Sequence, residues 1–178
     1  MNKIIAKSGI FGLLILMTAG AYAVEEPYFG FGYSIFTLEA DVPGSDNIDF
    51  DMDSFRLTTG TTVAQNFGFE TRLIFQGNGD TISGITLEPE YIISFLANFN
   101  YPAGPMTLFL NAGYSFVEFE IDSIENLTFD EEGVSVGAGV DFNISNNLSI
   151  YADATSYLIS HDTFDINSIS AGIRLLIH

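Results

Sequence analysis

Residues 134–157 read VSVGAGVDFNISNNLSIYADATSY, and they change character at every second position. Val134, Val136, Ala138, Val140 and Phe142 fall on one face, with Ser135, Gly137, Gly139 and Asp141 on the other. After Ser145–Asn147, the face of Leu148, Ile150, Ala152, Ala154 and Leu158 opposes Ser149, Asp153 and Thr155. A period of two held over about ten residues predicts strands, and a short Asn-rich break between two such runs predicts a hairpin.

The same pattern extends in both directions. Eight alternating segments lie at about 27–40, 53–64, 67–76, 85–99, 106–120, 132–144, 148–160 and 166–178. The connections alternate too. Gln65-Asn66, Asn100–Pro105 and Ser145–Asn147 are short and uncharged, whereas those near 41–52, 77–84, 121–131 and 161–165 are mostly longer and acidic. Short turns at one end and long loops at the other, on an even number of strands, are the pattern of a membrane barrel. Closing the sheet on itself satisfies every backbone group within the bilayer.

Which face is polar decides between a soluble and a membrane barrel. A soluble barrel covers its outside with charge. Beyond the N-terminal segment this chain has only Arg56, Arg72 and Arg174 as basic residues, and all three lie on the Gly/Ser/acid faces of their strands. Those faces are therefore expected to line the lumen, and the apolar faces to meet lipid. The net charge of −18 excludes nucleic acid as a partner. With no cysteine, disulfides and thiol chemistry are also excluded.

The N-terminus has a different purpose. A basic start with Lys3 and Lys7, an apolar run from Ile10 to Met17, and Ala21-Tyr22-Ala23 form a secretory signal pattern, cleaved before Val24. The expected organisation is a signal peptide at 1–23 and a barrel at 24–178.

The segment 134–157, together with PYFGFGYSIF, FGFETRLIF and FLNAGYSFVEF, resembles the small eight-stranded outer-membrane barrels of the opacity-protein and OmpA transmembrane type. The resemblance implies an all-β, antiparallel, up-and-down transmembrane barrel in the bacterial outer membrane, with a polar lumen filled by side chains. It also implies a monomer assembled by the barrel-assembly machinery and periplasmic chaperones, in contact with outer-membrane lipids and lipopolysaccharide. One departure is the C-terminus, Leu175-Leu176-Ile177-His178, where that family ends in an aromatic residue.

Two groups of side chains are candidates for function. Hairpin arithmetic with a turn near residue 80 sets Arg72 opposite Glu88 and Glu70 opposite Glu90, with Arg56 close by. Turns near Asn147 and near 163–164 set Asp141 and Arg174 opposite Asp153. These eight residues could line a conducting pore or close the barrel as an ion-pair network. The cost of unpaired buried charge favours the network.

The second group is an acidic rim. Asp49, Asp51 and Asp53 on the second strand, and Glu118, Glu120 and Asp122 on the fifth, continue the outward parity beyond the apolar stripe. Oxygen-rich clusters suit weakly held Ca2+ or Mg2+, which would bridge to anionic lipopolysaccharide, while solvated acidic loops are the plainer reading. No other cofactor is expected. His161 beside Asp162, near Ser156 and Ser160, has no spacing that points to an enzyme of lipid A, so no enzyme is expected. The choice left is between a structural protein with an extracellular contact and a small porin.

Overall fold

The structure is a computed structural model that describes residues 26–40, 48–64, 66–75, 77–82, 85–122, 127–159 and 164–177. The expected signal peptide lies outside them. Among the described residues nine strands follow in chain order: β1 (Glu26–Ala40), β2 (Ile48–Ala64), β3 (Phe67–Phe75), β4 (Asp80–Ile82), β5 (Ile85–Ala103), β6 (Met106–Asp122), β7 (Leu127–Asn143), β8 (Leu148–Tyr157) and β9 (Phe164–Leu176). Eight of them form a ring in the order β3-β2-β1-β9-β8-β7-β6-β5, which the β3–β5 pairing closes. Every pairing is antiparallel. The short β4 adds to the outer end of β5, beyond the ring.

Strand boundaries depart from the sequence reading where acids were taken for loop. β2 starts at Ile48 and β7 at Leu127, so Asp49, Asp51, Asp130 and Glu131 belong to strands. Asp disfavours strands, but Met52 and Ser54 of β2 alternate with these acids and are buried. Burial outweighs the propensity. At the opposite end β5 runs to Ala103, leaving Gly104-Pro105 as the turn. Gly104 takes a φ of 69°, a backbone region open to glycine at no steric cost.

Three registers differ from the hairpin arithmetic. Arg72 lies opposite Ser94 and Glu70 opposite Leu96, not Glu88 and Glu90, because the connection from β3 to β5 contains a hairpin of its own. Asp141 faces Tyr151, Asp153 faces Ser170 and Arg174 faces Ser149.

Which face is apolar changes partway along the strands. In the inner part of β1, Phe29, Phe31, Tyr33 and Ile35 point outward and are exposed, while Ser34 is buried in the lumen. Further along, Phe36 and Leu38 are the buried residues, and Glu39 faces out. The same exchange occurs on β2, between Arg56 and Met52, and on β6, between Ser115 and Val117. Along β6 the outward apolar row runs from Met106 to Phe116. At about 3.3 Å per residue and a tilt near 40°, those ten steps cover about 25 Å of membrane depth, the height of a lipid-facing band.

Candidate functional site

The lumen is filled in two distinct layers with a ring of serines between them. The inner layer holds all three expected arginines. Arg56 and Arg72 are completely buried, and Arg174 nearly so. Arg56 donates two hydrogen bonds to Asp153, at 2.9 and 2.5 Å, a bidentate pairing. Arg72 pairs with Glu70 on its own strand, and its Nη2 lies 3.7 Å from Asp153. Arg174 donates to Glu70 at 3.0 Å and pairs with Asp141. Three cations and three carboxylates thus form one connected network that crosses the lumen.

Aromatic rings hold the network in place. The Arg174 guanidinium lies 4.3 Å from the centre of the Tyr28 ring, and that of Arg56 lies 4.5 Å from the centre of Tyr151. Such stacking directs cation charge onto the ring face. The Tyr28 hydroxyl donates to Glu70 at 2.5 Å, and Arg56 Nε donates to Tyr151 Oη at 3.2 Å. The ring of Tyr151 fits because Gly32 and Gly172 lack side chains. A Cβ at either position would overlap its hydroxyl. Alternating glycines on the inward faces therefore make room for the large residues of neighbouring strands.

Above this network lies the serine ring: Ser34, Ser54, Ser94, Ser115, Ser135 and Ser170, all buried. Ser34 and Ser170 share a hydrogen bond of 2.7 Å, Ser94 and Ser115 one of 2.6 Å, and Ser135 donates to Ser115 at 2.7 Å. Beyond the serines the lumen becomes apolar. Phe36, Leu38, Met52, Ile74, Ile92, Val117, Phe119, Tyr157, Leu158 and Ile166 form a single buried cluster at the outer end. Leu158 contributes with a φ of 57°, which lets the chain leave β8 while its side chain stays in the cluster. The lumen is thus filled by side chains and polar in its inner layer, as expected from the sequence, and apolar beyond the serines, a second layer that the sequence reading did not include.

Of the eight residues assigned to the lumenal network, Arg56, Glu70, Arg72, Asp141, Asp153 and Arg174 meet there. Glu90 does not. It sits where the β5–β6 register shifts between Pro89 and Tyr91, and it is exposed. A bulge turns a strand's parity, and proline is at home in one. The Glu88 side chain lies outside the described residues. The apolar plug was missed in the sequence. Its signal was the breakdown of alternation in Ile35-Phe36, Leu73-Ile74-Phe75 and Phe116-Val117, where both faces are apolar.

The acidic rim is also part of the strands. The Asp51 carboxylate accepts a hydrogen bond from Thr37 at 3.0 Å. Asp53 accepts from the backbone N–H of Asn78 at 3.0 Å and from its side-chain amide at 3.1 Å, which holds the segment leaving β3 against β2. Tyrosines stand near acids at the upper edge of the apolar belt, Tyr91 directly opposite Glu118 in the β5–β6 register. These carboxylates are met by hydroxyls and amides of the same molecule. No group of three or more His, Asp or Glu suited to a metal ion occurs among the described residues. The side chains of Asp49, Glu120 and Asp122 lie outside them, as do Ser160, His161, Asp162 and His178. Ser156 is half-buried on β8.

Comparison with known proteins agrees with this architecture. A family model described as "Outer membrane protein beta-barrel domain" matches residues 9–175. Ail, the attachment invasion locus protein of Yersinia pestis, solved in complex with the heparin analogue sucrose octasulfate, aligns with a TM-score of 0.64 and 17% identity, over 85% of this chain and 98% of that one. Neisserial surface protein A aligns at a TM-score of 0.70 and 15% identity, covering 84% of this chain and 96% of its own. OprG of Pseudomonas aeruginosa aligns at 0.57 and 10% identity, covering 89% and 98%. At such identities the likeness is one of fold. No curated protein matches by sequence.

Proposed function

The chain belongs to the outer membrane protein β-barrel domain family and is a bacterial outer-membrane barrel, and from that premise we propose that it is a non-conducting, non-enzymatic surface protein whose outer strand extensions make its contacts. The double filling of the lumen carries this reading. An ion would have to break the Arg56–Asp153 pairing and then pass the apolar cluster around Phe36 and Ile166. Each step is costly: separating a buried ion pair costs several kcal/mol, and a charge among apolar side chains finds nothing to replace its hydration.

The rim narrows the partner. Ail has been solved with a sulfated heparin analogue. This chain has a net charge of −18 with Asp51, Glu118, Asp130 and Glu132 on its outer strands, so a polyanion is repelled. The contact we propose is with a cationic surface, and with lipopolysaccharide only through bridging divalent ions. Assembly would proceed through the barrel-assembly machinery and its periplasmic chaperones. The test is planar-bilayer recording of the refolded protein alongside its binding to polylysine and to heparin beads. Silent membranes with salt-sensitive retention on polylysine are expected. A steady conductance would install the porin reading instead, and retention on heparin would overturn the cationic partner.

A further inference from the structure

Beyond the serine ring β7 extends further than its neighbour. β7 is 17 residues long and β8 only 10. Their pairing ends at Val136 and Ser156, and a last hydrogen bond runs from the Ile159 N–H to the Val134 carbonyl at 3.0 Å. From Leu127 to Glu132, β7 is paired with β6 on one side and, among the described residues, with no strand on the other. The open edge is backed by a sheet, since β6 pairs in turn with β5, and β5 with β4.

Val134 fixes which backbone groups face the open side. In an antiparallel strand the N–H and C=O of one residue point to the same side, and successive residues alternate. The Val134 carbonyl points to the β8 side, and the β6–β7 register runs without a shift to Leu127. Thr128, Asp130 and Glu132 therefore present their N–H and C=O groups to the open side. The side chains of Asp130 and Glu132 are exposed, and Glu118 lies directly opposite Asp130 on β6.

Charge on a strand edge ordinarily blocks pairing, and here the block is selective. Two copies of this edge laid antiparallel bring Asp130 and Glu132 of one against those of the other, and like charges directly opposite are destabilising. A strand with Lys or Arg at alternate positions meets the same two carboxylates as favourable cross-strand pairs. We propose that the outer edge of β7 takes up an extended basic segment of another protein as an added antiparallel strand, whose main chain bonds to Thr128, Asp130 and Glu132. Main-chain hydrogen bonds supply the affinity in strand addition, and alternate side chains supply the specificity. This inference rests on the cationic partner proposed above and gives it a place and a conformation.

The experiment is fluorescence anisotropy of two labelled peptides titrated with the refolded full-length barrel in detergent micelles. One peptide alternates lysine with threonine. The other carries a methyl group on the backbone nitrogen of each lysine, which keeps the charge and removes the donors that would face β7. Wild type is expected to bind the first about tenfold more tightly, the difference made by two or three hydrogen bonds. Thr128→Pro leaves the net charge unchanged and removes an N–H that β6 does not use, a position where an edge strand tolerates proline. It is expected to weaken the first peptide several-fold and leave the second unchanged, and unchanged mobility of the unboiled sample on gels verifies that it folds. Equal binding of the two peptides by wild type, or undiminished binding of the first by Thr128→Pro, overturns the edge and leaves the cationic partner standing. Binding of neither peptide overturns both. Dimers of the wild-type barrel that the first peptide dissociates would assign the edge to a second copy and overturn the proposal as well.

Discussion

The two layers of the lumen solve one problem in opposite ways. The inner layer, flanked outside by lipid, is built from Arg56, Arg72 and Arg174 with their carboxylates; the outer layer, flanked by Glu39 and Asp51, is built from Phe36, Leu38 and Met52. Where the exterior must be apolar to meet hydrocarbon, the chain's remaining polar residues are sent inward. Where the exterior meets water, the rule of soluble proteins returns and apolar residues go inside. The exchange occurs at the serine ring, which therefore marks the level at which the bilayer ends. It also assigns the two layers different weaknesses. The inner one depends on complete pairing, and it leaves Thr58 Oγ1 and both side-chain polar atoms of Asn111 without a protein partner among the described residues. The outer one depends on shape.

The largest effect should come from breaking the pairing. Arg56→Ala leaves Asp153 with the Thr155 hydroxyl and the more distant Arg72 guanidinium, and removing one partner of a buried pair costs about 3–5 kcal/mol. Urea titration of the protein in lipid vesicles, followed by the gel mobility of the folded form, measures it. A loss under about 1 kcal/mol would show that the charged layer does not rely on pairing. Next comes shape. Phe36→Ala should cost about 3 kcal/mol, the lower end of the range for a buried phenylalanine. Its damage should be local, so limited proteolysis should cut the outer extensions while the gel shift of the membrane part survives. If both variants lose the gel shift together, the layers are one cooperative unit and the comparison fails.

How much of this was legible follows from the same division. Alternation is strict where one face meets lipid and the other meets polar groups, so the ring of eight strands and the inward direction of Arg56, Arg72 and Arg174 could be read from residues alone. The partners of those arginines could not be read by counting back from a turn. The β4 hairpin consumes residues between β3 and β5, so Arg72 arrives opposite Ser94. The network forms anyway, because guanidinium groups reach across a narrow lumen: Arg56 finds Asp153 on a strand it does not pair with. The apolar plug was hidden for a different reason. Above the bilayer the polar face is outside, and the segment around Asp51 read as loop instead of as the wet face of a strand with Met52 behind it.

Smaller changes sharpen the contrast. Tyr28→Phe keeps the ring that stacks on Arg174 but removes its 2.5 Å hydrogen bond to Glu70. Hydrogen bonds to charged groups contribute about 1.5–3 kcal/mol, so a drop of that size in the same urea titration is expected. An unchanged midpoint would mean that Arg72, Arg174 and the Asn98 amide satisfy the carboxylate without it.

The weakest effects should lie on the rim, and two neighbouring aspartates there differ instructively. Asp53 faces outward yet accepts from both the backbone and the amide of Asn78, which ties the start of the β3–β5 connection to β2. Asp51, two residues away, accepts from Thr37 and is exposed. Asp53→Ala should therefore cost about 1 kcal/mol, the usual net worth of a hydrogen bond, and should speed proteolysis near residue 78. Asp51→Ala should change stability by no more than a few tenths of a kcal/mol, as for exposed polar pairs, while weakening retention on polylysine. If Asp51→Ala instead destabilised the protein as much as Asp53→Ala, the rim would be acting as a structural collar, and its acidity would no longer speak for a cationic partner.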